Sequence, residues 1–389
     1  MRMKIEHCRI VSPGMDIPDG NLLLEDDRIL AVGDLAEGDF DCDVTIDGKG
    51  LIAAPGFIDI HTHGRSNSDF CDGTAEAFQV IGKGKLEDGV TGFLATTLTL
   101  PVEELRSVCV EAERYKNSPD PGAQLLGIHL EGPCFNQKCA GAQNPAYLRE
   151  PEWELVEEFD RISKVVKVSF SPELPGAVEF TRALSAHGIM PSGGHTEADY
   201  DRFEACRAAG MKHLTHFCNV MTPLHHLRFG MVGAGLLDDD VFVEMICDGV
   251  HLCDQMIRLI ARCKGPERMM LITDSIRAAA MPDGNYSLGG LPVIVKNGRA
   301  TLTTGPVAGS TLRYHNGLRH LIRVTGMPLS QAIAATSFNQ ASSLNLGLRG
   351  KLIPGWLADI VLLDQELIPQ VTICAGSVRW QKEPGRFVK

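Results

Sequence analysis

The chain has 389 residues, of which 44% are hydrophobic and 22% charged, and its formal net charge is −12. This length suits one large α/β barrel with an accessory piece, or two domains, and the composition is ordinary for a globular protein. The acidic charge argues against nucleic acid or an anionic membrane surface as a partner. It does not exclude a small anionic substrate, since a local basic pocket can bind one.

The cysteines and the apolar runs indicate the compartment. Twelve cysteines are scattered with no Cys-x-x-Cys pair, a pattern typical of reduced thiols that pack as small apolar side chains. The N-terminal stretch 1–14 alternates like a strand and lacks the apolar core of a signal peptide. No run reaches the ~18 apolar residues of a membrane span. We therefore expect a cytoplasmic protein without membrane association.

In chain order, the first predicted elements are short strands and turns over residues 1–50, with a hairpin tip at Asp26-Asp27. Similar strand-like text returns near the other end, at 358–364 and 371–380. We predict that the two ends, 1–50 and 349–389, meet to form one small β-sandwich domain.

Between the ends, eight apolar strand-like runs alternate with helical stretches. The runs cover 51–63, 89–99, 124–133, 165–173, 188–195, 212–219, 241–251 and 269–275. Continuous apolar strands that alternate with helices predict a parallel sheet covered by helices, and eight such units predict a (β/α)8 TIM-type barrel over 51–348. A doubly wound sheet is less favoured, because no Gly-rich phosphate turn follows the first strand.

A β-rich insertion is predicted near 281–310, where Gly-Gly and Asn-Gly turns separate short alternating runs. Helices are predicted to follow it, at roughly 310–325 and 329–344. The insertion lies in the last loop of the predicted barrel, so we expect it near the barrel mouth.

Unusual polar residues follow six of the eight predicted strands, each time at the carboxyl end. They are His61 and His63, Glu131, His195, His216, His251 and Asp274. In TIM-type barrels the loops at these strand ends share one mouth and carry the catalytic groups. We therefore expect the functional site of the protein at this face.

His61 and His63 are two residues apart on a strand, so their imidazoles point to the same side and can bind one metal ion. An isolated His-x-His pair is more often a pair of hydrogen-bonded histidines closing a strand. With Glu131, His195 and His216 predicted at the same mouth, the metal site is the favoured interpretation.

The remaining candidate ligands have alternatives of their own. Glu131 ends an apolar strand, where a buried carboxylate is costly unless it is coordinated or paired with a basic residue from another strand. His195 is either a ligand or a histidine at a helix entry. His213 and His216 face opposite sides of a strand, and we choose His216 as the inward one. Histidine and carboxylate ligands without cysteine suit Zn²⁺, Fe²⁺ or Mn²⁺.

Asp274 and His251 are the candidate reacting groups. A carboxylate beside a metal can take a proton from water and pass it to a leaving group, although an N-cap is the commoner role for such an aspartate. His251 can polarise a substrate carbonyl or be a surface-loop histidine, and Asp248 is expected to shape the loop before it.

These motifs together resemble the amidohydrolase superfamily, and within it the N-acetylglucosamine-6-phosphate deacetylases. The matching text is "PGFIDIHTHG", "DFCDGT", "GIHLEGPCF", "GGHTEA", "LTHFCNVMTPLHH", "CDGVH", "ITDS" and "AGSTL", in the family's order from about residue 50 to 312. The segment "GLRGKLIPGWLADIVLLD" also matches the superfamily's return to its β-domain.

The resemblance implies a function and the roles of the residues. The function is metal-dependent hydrolysis of the acetamide of N-acetylglucosamine 6-phosphate, by a homodimer. Glu131, His195 and His216 hold the first metal. His61 and His63 hold a second, or part of one, with Glu131 bridging, so one or two ions are expected. Asp274 is the general acid/base, and His251 polarises the acetyl carbonyl. The implied sugar pocket comprises Ala142, Gln143, Asn219, Val220, Arg228, His251, Val307, Ala308 and Gly309.

Three departures from the family pattern lie in the implied substrate pocket. Gln143 stands where the family commonly has histidine, Val220 where it has alanine, and the usual phosphate-binding arginine falls on Leu227, with Arg228 one place later. An alternative substrate therefore stays open: a different N-acetyl hexosamine, with or without phosphate, or another N-acyl compound. A non-catalytic sugar-binding scaffold is a further alternative.

Overall fold

Two large sheets organise the chain in a computed structural model, which describes residues 1–35, 41–119 and 121–387. One sheet gathers strands from both ends of the chain, and the other contains eight parallel strands in the middle. None of the described helices is both long and apolar enough to cross a membrane.

The terminal sheet has eight strands and an apolar cluster of its own, which draws side chains from the N-terminal and C-terminal strands alike. The hairpin predicted at Asp26-Asp27 joins its second and third strands. The strands are Arg2–Ser12, Met15–Glu25, Arg28–Gly33, Val44–Asp47, Ile52–Pro55, Ile360–Leu363, Pro369–Cys374 and Ser377–Gln381.

The central sheet confirms the predicted TIM-type barrel. Its eight strands pair in parallel and in chain order, and the backbone amide of Asp274 donates to His61 O across the remaining gap, at 2.8 Å. The strands are Phe57–Asp59, Val90–Thr96, Gln124–Glu131, Val165–Phe170, Met190–Gly193, His213–Leu214, Phe242–Met245 and Met269–Leu271.

The prediction for the first barrel strand, 51–63, was wrong at its beginning. Ile52–Pro55 pairs with Arg2–Ser12 and Ile360–Leu363 of the terminal sheet, and the barrel strand begins only at Phe57. Gly56 separates the two strands: its amide donates to Asp359 O at 2.9 Å, and a Cβ there would lie 2.3 Å from the Thr91 side chain. Because both strands are apolar, their sequence reads as one continuous run.

Helices cover the outside of the barrel, and their side chains form the main core with the outer face of the strands. The helix Val102–Lys116 illustrates why these segments are helical. It follows Pro101, carries Glu103 and Glu104 in its first turn and has basic residues in its last turn, and both sets of charges interact favourably with the helix dipole. The α-helices are Ala75–Leu86, Val102–Lys116, Trp153–Ile162, Ala177–Ala186, Tyr200–Ala208, Met231–Leu237, Asp254–Lys264, Tyr314–Thr325, Leu329–Ala332 and Phe338–Ser343.

Short elements complete the described chain. Three antiparallel strands, Gly284–Leu288, Leu291–Lys296 and Arg299–Leu302, lie within the predicted insertion. Two small hairpins pair Gly64–Arg65 with Ser68–Asp69 and Leu224–His225 with Arg228–Phe229. The 3₁₀ helices are Phe70–Asp72, Gln137–Cys139, Pro145–Tyr147 and Ile333–Thr336.

A buried ion pair and its hydrogen bonds join the first barrel strand to the helix Ala75–Leu86 and to the residues after the last strand. Lys85 Nζ donates to Asp59 Oδ2 at 2.7 Å, and Asp59 also accepts from the Thr273 hydroxyl at 2.6 Å and the Thr273 amide at 3.2 Å. Lys85 lies 3.4 Å from the hydroxyl of Ser275 as well. The network thus fixes the residues on both sides of Asp274.

Candidate metal centre

The first group of candidate ligands meets at the mouth of the barrel. Glu131 Oε1 lies 3.1 Å from His216 Nε2 and 3.7 Å from His195 Nε2, and the two imidazole nitrogens are 3.0 Å apart. All three side chains are buried. The ends of the third, fifth and sixth strands thus bring one carboxylate and two histidines to a common point.

The second group lies beside the first and shares Glu131 with it. His61 Nε2 and His63 Nε2 lie 3.5 and 3.2 Å from Asp274 Oδ1. His61 Nε2 is also 3.2 Å from Glu131 Oε1, and His63 Nε2 is 3.3 Å from Glu131 Oε2. One oxygen of Glu131 therefore faces both groups, and the other faces His63.

The geometry of both groups fits a divalent cation. Ligand atoms at about 2.0–2.1 Å from a tetrahedral ion lie about 3.3 Å from one another, and the separations here run from 3.0 to 3.7 Å. Within the described chain, His61 Nε2 is buried and has no hydrogen-bond partner. An orphaned imidazole nitrogen among carboxylate oxygens is what a metal ligand looks like without its ion.

Hydrogen bonds at the opposite ring nitrogens orient three of the histidines. The Nδ1 atoms of His195 and His63 lie 2.8 Å from Cys139 O and 3.3 Å from Thr96 O, and His61 Nδ1 lies 3.1 Å from a carboxylate oxygen of Glu244. Because these partners only accept, each Nδ1 carries a proton, and Nε2 is the nitrogen that faces the centre and would bind a metal.

The charges of the site keep its carboxylates ionised. Burial raises the pKa of Asp274, but His61 and His63 outweigh it and lower that pKa below its usual value. Burial lowers the pKa of His61, and the carboxylates of Glu131 and Asp274 reverse this and raise it to about 9. Protons therefore compete with a metal for these nitrogens.

Three of the site residues have left-handed backbone conformations. The φ angles of His195, His216 and Asp274 are 46°, 31° and 48°. Side chains other than glycine rarely adopt this region, and each instance costs about 1–3 kcal/mol. The chain leaves its strand abruptly at each of these residues, which turns the side chain towards the centre.

One pocket is lined by the candidate ligands other than His61, by the candidate reacting groups and by most of the predicted sugar-binding residues. The predicted residues that line it are Ala142, Gln143, Asn219, Val220, His251, Val307 and Gly309. Leu98, Leu288 and Pro306 also line it and were not predicted. Within the described chain, the lining includes no lysine or arginine.

Two predicted pocket residues lie elsewhere. Arg228 is exposed on the hairpin with Leu224–His225, where it lines a separate groove together with Glu197 and Asp199. Ala308 is fully buried, and its amide donates to Ala300 O in the insertion at 3.1 Å. Both positions have one physical reason: a hairpin or a strand pairing turns the chain away from the pocket, so neighbours in sequence diverge in space.

His251 is paired with Asp248 inside the same loop. Asp248 Oδ2 lies 2.7 Å from His251 Nδ1, and its other oxygen accepts from the amides of Val250 and His251, both at 2.8 Å. Asp248 thus shapes the loop as expected and also orients the imidazole. Burial lowers the pKa of His251, but Asp248 outweighs it and raises that pKa.

Sequence reasoning missed the residues that support the ligands. Gln143, predicted as a sugar contact, donates from Nε2 to Glu131 Oε2 at 2.7 Å and accepts from the Thr99 amide at 2.7 Å. Glu244 and Lys167 form an ion pair beneath the ligands. The sequence contained one sign of this ion pair: Glu244 and Lys167 are charged residues inside apolar strand runs, "VFVEMIC" and "VVKVSF".

A TIM-type barrel that gathers histidines and carboxylates at its carboxyl face defines a class of enzymes suited to metal-assisted chemistry. The amidohydrolase family model matches residues 52–379, and the chain belongs to this family. The protein is a hydrolytic enzyme that acts on an amide bond.

Three similar proteins refine the comparison. An N-acetylglucosamine-6-phosphate deacetylase from Vibrio furnissii is 39% identical over 83% of this chain and 81% of its own. An N-acetylgalactosamine-6-phosphate deacetylase from Escherichia coli O157:H7 is 35% identical over 81% and 84%. A mutant N-acetyl-D-glucosamine-6-phosphate deacetylase from Mycobacterium smegmatis, solved in complex with N-acetyl-D-glucosamine-6-phosphate, superposes with a TM-score of 0.90 at 30% identity, over 97% and 99% of the two chains.

Proposed function

We propose that the protein hydrolyses the acetamide of N-acetylglucosamine 6-phosphate to glucosamine 6-phosphate and acetate. The observation that carries this proposal is the placement of Asp274 in one pocket with His251 and with ligands of both groups. The similarity to deacetylases of this substrate supports the choice of substrate.

The side chains of the pocket divide the reaction between them. Glu131, His195 and His216 would hold a divalent cation, and His61 and His63 with Asp274 would hold a second. When bound, such a cation is a Lewis acid that polarises a carbonyl and acidifies water. Zn²⁺ or Fe²⁺ suits this ligand set best, and Mn²⁺ also fits it.

Asp274 moves the proton. Its ionised carboxylate accepts a proton from the attacking water and later delivers it to the leaving amine nitrogen. His251, held by Asp248, donates a hydrogen bond to the acetyl oxygen, on which negative charge develops as water adds. Leu98, Leu288 and Val307 present an apolar wall of the pocket, which excludes water from the rest of the substrate.

Acetate release from N-acetylglucosamine 6-phosphate by the metal-loaded protein tests the proposal. We expect turnover in the wild type and in Asp201→Asn, an exposed aspartate control on a helix. Asp274→Asn should be at least about 100-fold slower, the usual contribution of general acid–base catalysis. Wild-type turnover in Asp274→Asn would refute the assigned role, and no acetate from the wild type would refute the substrate.

A second candidate substrate is N-acetylgalactosamine 6-phosphate. Gln143 and Leu227 depart from the family pattern of the glucosamine enzymes, and one relative at 35% identity deacetylates the galactosamine sugar phosphate. Comparing kcat/KM for the two sugar phosphates and for unphosphorylated N-acetylglucosamine decides among the substrates.

The proposal extends to the state of the protein. We propose that the terminal strands form the predicted β-sandwich domain, because one apolar cluster of their sheet contains no barrel-strand side chain. Other terminal-strand side chains, such as Val11 and Val361, belong to the main core that includes the barrel. The protein acts as a cytoplasmic homodimer, and the exposed hairpin that carries Leu227 and Phe229 is available for a second copy. Sedimentation of the metal-loaded protein tests the dimer.

A further inference from the structure

Glu244 lies directly beneath the candidate metal centre, in the seventh barrel strand. It is fully buried inside the barrel, and its Oε1 accepts a hydrogen bond from Lys167 Nζ of the fourth strand, which is also fully buried. A buried ion pair of this kind costs desolvation energy that apolar residues would avoid, and it is weak evidence for a purely stabilising role. The pair therefore calls for another explanation.

Glu244 contacts His61, a ligand of the second group. Its Oε2 lies 3.1 Å from His61 Nδ1. A carboxylate paired with a lysine ammonium only accepts hydrogen bonds, so the proton of His61 resides on Nδ1. His61 Nε2 then presents its lone pair towards Glu131 Oε1, 3.2 Å away. Glu244 thus selects both the tautomer and the ring orientation that a metal requires.

The second contact is with a ligand of the first group. The backbone amide of His216 donates to Glu244 Oε2 at 3.1 Å, and the amide of Phe217 donates to Glu244 O at 2.8 Å. These bonds hold the chain where His216 adopts its left-handed conformation, with φ of 31°. The same carboxylate oxygen therefore contacts one ligand of each group.

We propose that Glu244, anchored by Lys167, is a positioning residue that sets the geometry of both ligand groups at once. Loss of its carboxylate turns His61 and releases the backbone of His216 together, so the two metal positions weaken together. The inference rests on the metal centre of the proposed function but not on its substrate, so metal binding tests it without reference to acetate release.

The test is a titration of the metal-free protein with Co²⁺, followed by d–d absorption and competition with a chelator. In Glu244→Gln, one amide oxygen replaces two carboxylate oxygens, and an NH₂ donor can face His61 Nδ1. We expect about 10- to 100-fold weaker Co²⁺ binding, the usual effect of losing a residue that orients a ligand, and an altered absorption band. Glu244→Asp keeps the charge, shortens the reach to His61, and should also bind Co²⁺ more weakly.

Asp359→Asn is the matched control. Asp359 is 5% exposed and is paired with Arg349 beside the terminal sheet, so this variant also loses a buried carboxylate of an ion pair. We expect it to bind Co²⁺ with wild-type affinity and spectrum. Wild-type binding by the Glu244 variants, or equal weakening in Asp359→Asn, overturns the proposal. If Glu244→Gln does not fold, the comparison of Glu244→Asp with Asp359→Asn decides by the same criteria.

Discussion

Replacing Lys85 with methionine removes one partner of the ion pair that joins the helix Ala75–Leu86 to the first barrel strand. Lys85 and Asp59 are 2% and 0% exposed, and their charged atoms lie 2.7 Å apart. The substitution leaves the Asp59 carboxylate buried with only the hydroxyl and amide of Thr273 as donors. Removing one partner of such a pair typically destabilises a protein by about 3–5 kcal/mol.

The expected shift in melting temperature follows from the size of the chain. An unfolding entropy of about 2.1 cal/mol/K per residue amounts to about 0.8 kcal/mol/K for 389 residues. The loss of 3–5 kcal/mol therefore corresponds to a shift of about 4–6 °C. Lys116→Met is the matched control, since Lys116 pairs with Glu113 at 3.2 Å on an exposed helix face. Such surface pairs contribute about 1 kcal/mol or less.

Differential scanning fluorimetry of the metal-free variants measures both shifts under one set of conditions. The double variant Lys85→Met/Asp59→Asn should recover part of the loss, because no unpaired charge then stays buried. The reasoning is refuted if Lys85→Met and Lys116→Met have the same melting temperature. It is also refuted if the double variant is destabilised by the sum of the effects of Lys85→Met and Asp59→Asn measured singly.

Three further predictions concern the site. Asp248→Asn removes the partner that raises the pKa of His251, so the imidazolium should lose its proton at lower pH and the basic limb of the kcat/KM profile should shift to lower pH. Asp274 and Arg299 also act on the pKa of this histidine, in opposite directions. A basic limb that stays at the wild-type pH contradicts the role of His251 as hydrogen-bond donor. Gly141→Ala should lower Co²⁺ affinity, because Gly141 has φ of 59° and a Cβ would lie 3.2 Å from His195 Cε1; unchanged binding in a Co²⁺ titration argues against this contact. Removing the metal with a chelator should lower the melting temperature, since a ligand at 1,000 times its Kd stabilises the folded state by about 4 kcal/mol; fluorimetry with and without chelator checks this.

The features that were easiest to predict from the sequence are polar residues placed at the ends of apolar strands. A histidine or carboxylate at the end of an apolar strand is conspicuous, and the parallel order of strands brings such ends together. Glu131, His195 and His216 were therefore recognisable without coordinates. In the structure their ligand atoms lie within 4.8 Å of one another, as do those of His61, His63 and Asp274.

Features that depend on contacts across the barrel were not predictable in this way. Glu244 and His61 are 183 residues apart, and only the closed barrel shows that they touch. The passage of the chain from the terminal sheet to the barrel at Gly56 could not be recognised in the sequence, because the strands on both sides of Gly56 are apolar. The position of Arg228 depends on a two-residue hairpin, whose direction the residue pattern does not reveal.

The left-handed conformations of His195, His216 and Asp274 bear on how the sequence can change over time. At each position the backbone alone would favour glycine or asparagine, so a substitution to either residue relieves strain while it removes a functional group. If selection for activity were relaxed, mutation would be expected to drift towards these residues. The chemistry required of these three residues thus works against the backbone preference at their positions.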